Sequence, residues 1–220
     1  MPPLLESQGE PLSMADEAFR QLQDRLIFLD IPPGSPIRES QLSQELSLGR
    51  TPLREALKRL ESEHLVVTYA RRGTFATTVD ITALSEISQV REVLEPLVAR
   101  CAAERQGGRN RDQLRKLGQE LAAVGHDQLS WDRALRWDIR IHREIYAAAG
   151  NAHLQAIVER YGNLATRIWC VVADRIGALG QHVEVHNALL AAVLDGKGDE
   201  ASSIMVRHVR EFEAQIRDVL

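Results

Sequence analysis

The chain has 220 residues, of which 44% are hydrophobic and 26% charged, and this is the composition of an ordinary globular protein with one large or two modest domains. The formal net charge of −4 excludes a histone-like protein that binds DNA through its overall charge, although one face can still be basic. The sequence has no apolar run near the roughly 18 residues of a membrane span, no signal-peptide pattern and only two cysteines, so we expect a cytoplasmic protein without a disulfide framework.

The first two predicted elements are helices. Ser13 is the expected N-cap of the first helix, whose apolar positions follow helical spacing: Ala18, Leu22, Leu26 and Leu29. The Pro32-Pro33-Gly34 sequence is expected to end it. Ser40 is the expected N-cap of a second, short helix that turns Leu42 and Leu46 inward.

A third helix is predicted from Thr51 as N-cap and Pro52 as first helical residue to about His64. Threonine accepts a free amide hydrogen at this position, and proline lacks one and already has a helical φ. Two β-rich runs follow, Leu65–Tyr69 and Thr74–Val79, separated by the basic tip Ala70-Arg71-Arg72-Gly73. Residues 1–79 are therefore predicted to form a helix-turn-helix with a β-hairpin.

The sequence from Thr82 onward predicts a bundle of amphipathic helices without strands. Polar or glycine-containing breaks are expected near residues 107–108, 127–130, 150–151, 177–180 and 196–199. Pro96 falls inside the first of these helices and predicts a kink or a break. Asp199 is the expected N-cap of the last helix. Residues 80–220 are therefore predicted to form a second, all-α domain.

The third helix has the pattern of a helix that contacts DNA. Leu53, Leu57 and Leu60 form an apolar stripe that must face the core, while Arg50 and Arg54 remain available at the helix start. Arginine can hold guanine O6 and N7 bidentately, and amides near a helix N-terminus suit phosphates. The alternative is an amphipathic helix whose charged face is merely solvated.

A close resemblance to the winged helix-turn-helix of the GntR family of bacterial regulators is carried by LGRTPLREALKRLE (48–61), Leu65-Val66 and Arg72 to Phe75. The resemblance implies that Arg50, Thr51, Pro52 and Arg54 contact the operator. It also implies that Arg72 and Gly73 lie at a wing tip by the minor groove, and that Ser40 contacts a phosphate. Gly49 stands where the family commonly has a small polar residue.

Asp138 and His142 are four residues apart, so their side chains leave the same face of a helix and can converge on one atom. His186 and His208, on later helices, each have apolar neighbours that indicate an inward face. One carboxylate and three imidazoles can bind a divalent first-row ion with coordination positions left open. The alternative is that these are histidines satisfied within the core, because separation in sequence says little about distance between helices.

The segment from about Asp80 to Leu220 resembles the helical effector domain of the FadR subfamily, in the metal-carrying group with an FCD-type domain. The matching stretches are QVREVLEP (89–96) with Ala102-Ala103, DIRIH (138–142) with Ala149 to Asn151, and residues 186–199 with His208. The resemblance implies that Asp138, His142, His186 and His208 surround a metal ion, with Zn, Ni or Mn as candidates. It also implies that Arg91 lines the effector pocket and receives a carboxylate.

For Arg91 the alternative is an ordinary ion pair with Glu95, one helical turn away. Trp169 can form a wall of the same pocket, although an aromatic residue in a helix is more often part of the core. We therefore expect a homodimeric repressor, not an enzyme, that binds operator DNA and responds to a small carboxylate at a metal site. A metal-dependent hydrolase or lyase fused to a DNA-binding module and a direct metal sensor remain alternatives.

Overall fold

The computed structural model describes residues 13–105, 107–123, 130–176 and 180–220. The chain divides into two compact units, of which the first ends at Asp80 and the second begins at Ile81. Across the described ranges, no helix combines the length and the apolar character needed to cross a membrane. The breaks predicted at residues 127–129 and 177–179 lie outside the described residues.

The first unit is a helix-turn-helix followed by a β-hairpin, as predicted. Its elements in chain order are α1 (Met14–Ile27), α2 (Glu39–Glu45), α3 (Arg50–Ser62), β1 (Val66–Tyr69) and β2 (Gly73–Ala76). Helices α1 and α3 pack together through buried apolar residues at helical spacing, which are Ala18, Leu22, Leu26, Leu53, Leu57 and Leu60. This packing turns the other face of α3 toward solvent.

Ser13 is the N-cap of α1, as the sequence predicts, because its hydroxyl accepts a hydrogen bond from the amide of Asp16 at 3.1 Å. The predicted end of this helix was too late. The helix stops at Ile27 and Leu29 has a φ of 60°, a left-handed conformation that interrupts the helix before Pro32 is reached.

The predicted starts of the next two helices were wrong by two residues each. Ser40 lies inside α2, whose N-cap is Arg38, and Thr51 and Pro52 lie inside α3, whose N-cap is Gly49. The amide of Leu53 donates to the carbonyl of Gly49 at 3.3 Å. A proline is tolerated throughout the first helical turn because the amides there have no partner within the helix. Thr51-Pro52 therefore marks the start of a helix as predicted, but the helix begins at Arg50.

Strands β1 and β2 are antiparallel, and Val66 pairs with Ala76 and Tyr69 with Gly73. A short segment before α2 lies along β2, where the amide of Ile37 donates to the carbonyl of Thr74 at 2.8 Å and Pro36 forms a bridge to Phe75. This segment ties the hairpin to the start of α2. No pattern in the sequence predicts this segment, because isolated bridges leave no periodicity.

The second unit contains helices and no strand among its described residues. A short 3-10 turn at Ile81–Ala83 leads into α4 (Leu84–Glu104), α5 (Arg109–Ala122), α6 (Trp131–Ala148), α7 (Ala152–Val172), α8 (Gly180–Leu194) and α9 (Gly198–Arg217). Helix α4 continues unbroken through Pro96, so the predicted break is absent. Packing against other helices on both sides of Pro96 holds the helix together despite one missing backbone bond. The N-cap of α9 is Lys197 rather than the predicted Asp199.

Helix α4 is the centre of this unit and packs against α6, α7, α8 and α9. The core around it consists of small and branched apolar side chains, among them Val98, Ala99, Leu117, Ile141, Ile145, Leu189, Val193, Met205 and Val209. Buried Arg111 on α5 donates to the carbonyl oxygens of Val193 and Leu194, which anchors the end of α8. Helices α4, α6, α8 and α9 thus turn their inner faces toward the same hydrophobic core.

Candidate functional site

The start of α3 presents the residues predicted to contact DNA. Arg50 and Thr51 are exposed, and Pro52 is half-buried beside them. Apolar residues on the opposite face hold the helix against α1. Solvent-facing cations at a helix N-terminus form an arrangement that binds phosphates and base edges.

Arg54, one turn further along α3, is 68% exposed and is paired with Glu39 of α2 across a 2.8 Å contact from Nε to Oε2. The two residues lie 15 positions apart on different helices, so no helical spacing predicts this pair. The contact is made through Nε of the guanidinium. Ser40 follows Glu39 on α2 and is exposed.

The hairpin turn carries the other predicted DNA contacts. Arg72 and Gly73 are exposed, and the guanidinium of Arg72 lies 5.6 Å from the centre of the Tyr69 ring. Gly73 has a φ of 92°, which a residue with a side chain adopts only with strain. A positively charged side chain thus projects from a tight turn whose backbone requires glycine.

Helices α6, α8 and α9 bring together the four predicted metal ligands. One ligand atom each from Asp138, His142, His186 and His208 lies within 4.8 Å of the other three. The Oδ1 atom of Asp138 is 2.9 Å from Nε2 of His186, 3.5 Å from Nε2 of His208 and 3.8 Å from Nε2 of His142. The three histidines are buried, and Asp138 is partly exposed.

Two groups of this cluster, Asp138 and His208, are held in the protonation states that a metal requires, whereas Asp138 and Glu95 outweigh the effect of burial and raise the pKa of His142. Burial opposes ionisation of Asp138, but His142 and hydrogen bonds from His186 and His208 hold its pKa well below the ordinary value. Burial lowers the pKa of His208 to about 3, so this imidazole is neutral at pH 7. A charged carboxylate and a neutral imidazole are the protonation states in which these groups coordinate a metal.

A buried polar network adjoins the cluster on the α4 side. Nε of Arg91 contacts Oε1 of Glu95 at 2.5 Å, and neither side chain is more than 5% exposed. Oε2 of Glu95 lies 3.4 Å from Nδ1 of His142, and the hydroxyl of Tyr146 lies 2.8 Å from the same nitrogen. Arg91 and His142 offset the burial of Glu95 and lower its pKa to about 2. The pairing of Arg91 with Glu95, which the sequence left as an alternative, is therefore present.

Arg91 also lines a small cavity beside the cluster. The cavity measures about 20 Å³ and is bordered by Asp138 and His142 together with residues of α7 and α9. Nη1 of Arg91 and Nδ2 of Asn163, both from residues that border the cavity, are buried and hydrogen-bond to none of the described residues. Donors in this state are rare in proteins and indicate a place for an oxygen-bearing ligand or an ordered water.

Trp169 lies behind the cavity wall instead of forming it. Its ring stacks on Phe212 with the ring centres 4.7 Å apart, and Phe212 borders the cavity. The guanidinium of Arg91 lies 4.9 Å from the centre of the Phe212 ring. Trp169 therefore supports an aromatic wall, and Phe212 supplies the surface that the sequence analysis assigned to Trp169.

The donor set fits a divalent transition metal. Three imidazoles and a carboxylate are ligands that zinc, nickel and manganese accept. The separations of 2.9–3.8 Å from Asp138 to the three histidines fall within the roughly 4.2 Å that two metal–ligand bonds of about 2.1 Å can span. Helical spacing predicted Asp138 and His142 as ligands, and the family resemblance implied all four. Glu95 was considered only as a partner of Arg91, and Tyr146 and Asn163 were missed. Tyr146 lies four residues after His142, which was a usable signal.

Comparisons with known proteins agree with this architecture. A model described as bacterial regulatory proteins, gntR family, matches residues 14–76, and a model of the FCD domain matches residues 86–211. The Nta operon transcriptional regulator of Aminobacter aminovorans is 29% identical over 86% of this chain and 87% of its own. The galactonate operon transcriptional repressor of Escherichia coli K12 is 24% identical over 94% of this chain and 99% of its own.

Solved structures share the fold. E. coli McbR/YncC has a TM-score of 0.74 and 21% identity over 93% of this chain and 99% of its own. A GntR regulator from Rhodococcus sp. RHA1 has a TM-score of 0.70 and 21% identity over 95% of this chain and all of its own. These families and relatives are regulators of transcription and not enzymes. The chain belongs to the GntR family of bacterial transcription regulators and carries an FCD domain.

Proposed function

We propose that this regulator is a homodimeric repressor whose FCD domain binds a small organic acid at a divalent metal ion. Asp138, His142, His186 and His208 hold the ion, and Arg91 receives a carboxylate of the effector. The observation that carries this proposal is that two members of the four-residue cluster, Asp138 and His142, line the same small cavity as Arg91, whose buried Nη1 has no hydrogen-bond partner among the described residues. The ion supplies open coordination positions for ligand oxygens.

The charge of the site supports an anionic effector. Arg91 and Glu95 neutralise each other, and Asp138 is held as a carboxylate. A divalent cation among these groups leaves one uncompensated positive charge in a buried volume, where a charge without a partner is costly. One carboxylate neutralises it. The amide nitrogen of Asn163 adds a hydrogen-bond donor that suits a hydroxyl or second carboxyl group on the same molecule.

The proposed DNA-contacting set is Ser40, Arg50, Thr51, Pro52, Arg54, Arg72 and Gly73. Exposure at the helix start and the hairpin turn supports it. One small winged unit offers few contacts for tight binding, so two protomers on a pseudo-palindromic operator are expected. Footprinting checks this expectation, and a monomer that binds a lone half-site as tightly as the full operator contradicts it.

A two-way titration tests the sensor. Operator affinity is measured while Zn²⁺ is varied at fixed effector, and then while hydroxy- and dicarboxylates are varied at fixed Zn²⁺. The proposal expects a response that needs both ligands and that fails in Arg91→Ala and His208→Ala. One relative represses a galactonate operon, and galactonate is a hydroxy carboxylate that belongs among the first compounds tested. If none of the hydroxy- and dicarboxylates changes operator affinity, the organic-acid effector is contradicted.

The second candidate is a direct metal sensor, and the size of the cavity favours it. About 20 Å³ is room for a water molecule but not for an organic acid without side-chain movement. In this case Zn²⁺ alone changes operator affinity, and carboxylates add nothing. The same titration distinguishes the two candidates.

A further inference from the structure

We propose that Glu95 is a positioning residue that orients the metal ligand His142 and the effector-binding Arg91 at the same time. The inference rests on the proposed metal site and concerns how that site is regulated. Glu95 is fully buried and belongs to α4, whereas His142 belongs to α6. One carboxylate oxygen of Glu95 contacts Arg91 and the other lies near His142. The same side chain therefore connects the proposed effector-binding arginine to the proposed metal site.

The orientation of the His142 ring identifies which nitrogen faces the metal site. Nε2 of His142 is 3.0 Å from Nε2 of His208 and 3.8 Å from Oδ1 of Asp138, so it points into the ligand cluster. Nδ1 points the other way, toward Glu95 and Tyr146. When Nε2 coordinates an ion, Nδ1 must carry the proton and donates it to these oxygens.

A carboxylate on the outer nitrogen of a metal-bound histidine fixes the tautomer and the ring orientation and makes the ligand more basic. Loss of such a partner commonly weakens metal affinity by about 10- to 100-fold. Oε2 of Glu95 is buried 3.4 Å from Nδ1 of His142 and makes no hydrogen bond among the described residues, so it can accept the Nδ1 proton once Nε2 binds an ion. This role explains why a carboxylate is buried at this position, beyond the need to neutralise Arg91.

The other oxygen of Glu95 orients Arg91. It contacts Nε, and the Phe212 ring lies against the guanidinium, so the orientation is defined from two sides. Nη1 then keeps no hydrogen-bond partner among the described residues. A ligand carboxylate can accept a hydrogen bond from Nη1 of Arg91 without displacing Glu95. Metal and effector are therefore expected to bind with positive coupling through this one side chain.

Zn²⁺ affinity of the full chain, measured by chelator competition, tests the inference. Glu95→Gln should weaken Zn²⁺ binding by about 10- to 100-fold. Glu92→Gln is the matched control, because Glu92 lies on the same helix and also pairs with an arginine, Arg210, but at the surface. The control should bind Zn²⁺ as the wild type does. In the Zn²⁺-loaded wild type, NMR should show the Nδ1 proton of His142 far downfield, and this resonance should move upfield in Glu95→Gln.

Glu95→Gln leaves the buried Arg91 charge without its partner and can unfold the chain for that reason. The double variant Arg91→Gln/Glu95→Gln leaves neither buried charge unpaired. It is compared with Arg91→Gln, in which Oε2 of Glu95 still faces Nδ1 of His142, after circular dichroism has shown that both variants fold. The single variant should bind Zn²⁺ at least as tightly as the wild type, and the double variant about 10- to 100-fold more weakly than the single variant. Equal affinity of the two overturns the positioning role and leaves the metal site intact. A wild type that binds no Zn²⁺ overturns both the inference and the proposed function.

Discussion

Removal of the proposed metal ion should lower the melting temperature of the FCD domain without unfolding it at room temperature. Oδ1 of Asp138 lies 2.9 Å from Nε2 of His186, so these two groups can stabilise each other when no ion lies between them. A ligand that binds only the folded state at 100 times its Kd contributes about 2.7 kcal/mol. For a domain of roughly 140 residues, each kcal/mol corresponds to about 3–5 °C, so we expect a shift of about 10 °C.

The assay is differential scanning calorimetry of the chain with excess Zn²⁺ and with a chelator, alongside elemental analysis of the purified protein. About one ion per chain is expected. Asp138→Asn keeps the shape of the side chain but removes its charge, and it should abolish both the ion and the shift. Asp132→Asn on the same helix is the control, because Asp132 pairs with Arg136 away from the cluster. Equal melting temperatures with Zn²⁺ and chelator, or an unchanged ion content in Asp138→Asn, would refute the reasoning.

Three other variants test the DNA surface and the cavity wall. Arg54→Ala should weaken operator binding by about 1–3 kcal/mol while helical circular dichroism is unchanged; wild-type affinity and sequence preference at physiological salt would remove Arg54 from the interface. Glu39→Gln should strengthen operator binding by roughly 1.5- to 5-fold, because it frees Arg54 from an exposed ion pair worth about 0.2–1 kcal/mol; weaker binding in fluorescence anisotropy would instead make Glu39 a support for Arg54. Phe212→Ala should lower the free energy of unfolding by about 3–5 kcal/mol, since the ring is buried between Trp169 and Arg91; a loss below about 1 kcal/mol in urea unfolding would contradict this account of the wall.

Local pattern in the sequence was enough to identify the elements of the DNA-binding unit. Periodicity places Leu53, Leu57 and Leu60 on one face of α3, and this choice leaves Arg50 and Arg54 on the other. The sequence did not determine which residue caps α3, because Thr51 and Gly49 are both residue types that occur at helix starts. The choice between them depends on backbone hydrogen bonds, such as that from the Leu53 amide to the Gly49 carbonyl, and the sequence pattern does not reveal these bonds.

The spacing of Asp138 and His142 was sufficient to place two candidate ligands on one helical face, because four residues make about one turn. Tertiary structure decided everything that depends on the separation of helices. His208 lies 66 positions after His142, yet their Nε2 atoms are 3.0 Å apart. Glu95 contacts His142 because α4 is packed against α6, and no periodicity within either helix predicts that contact. The periodicity of the sequence determines which face of a helix a side chain occupies, whereas the packing of helices around the shared core determines which residues it contacts.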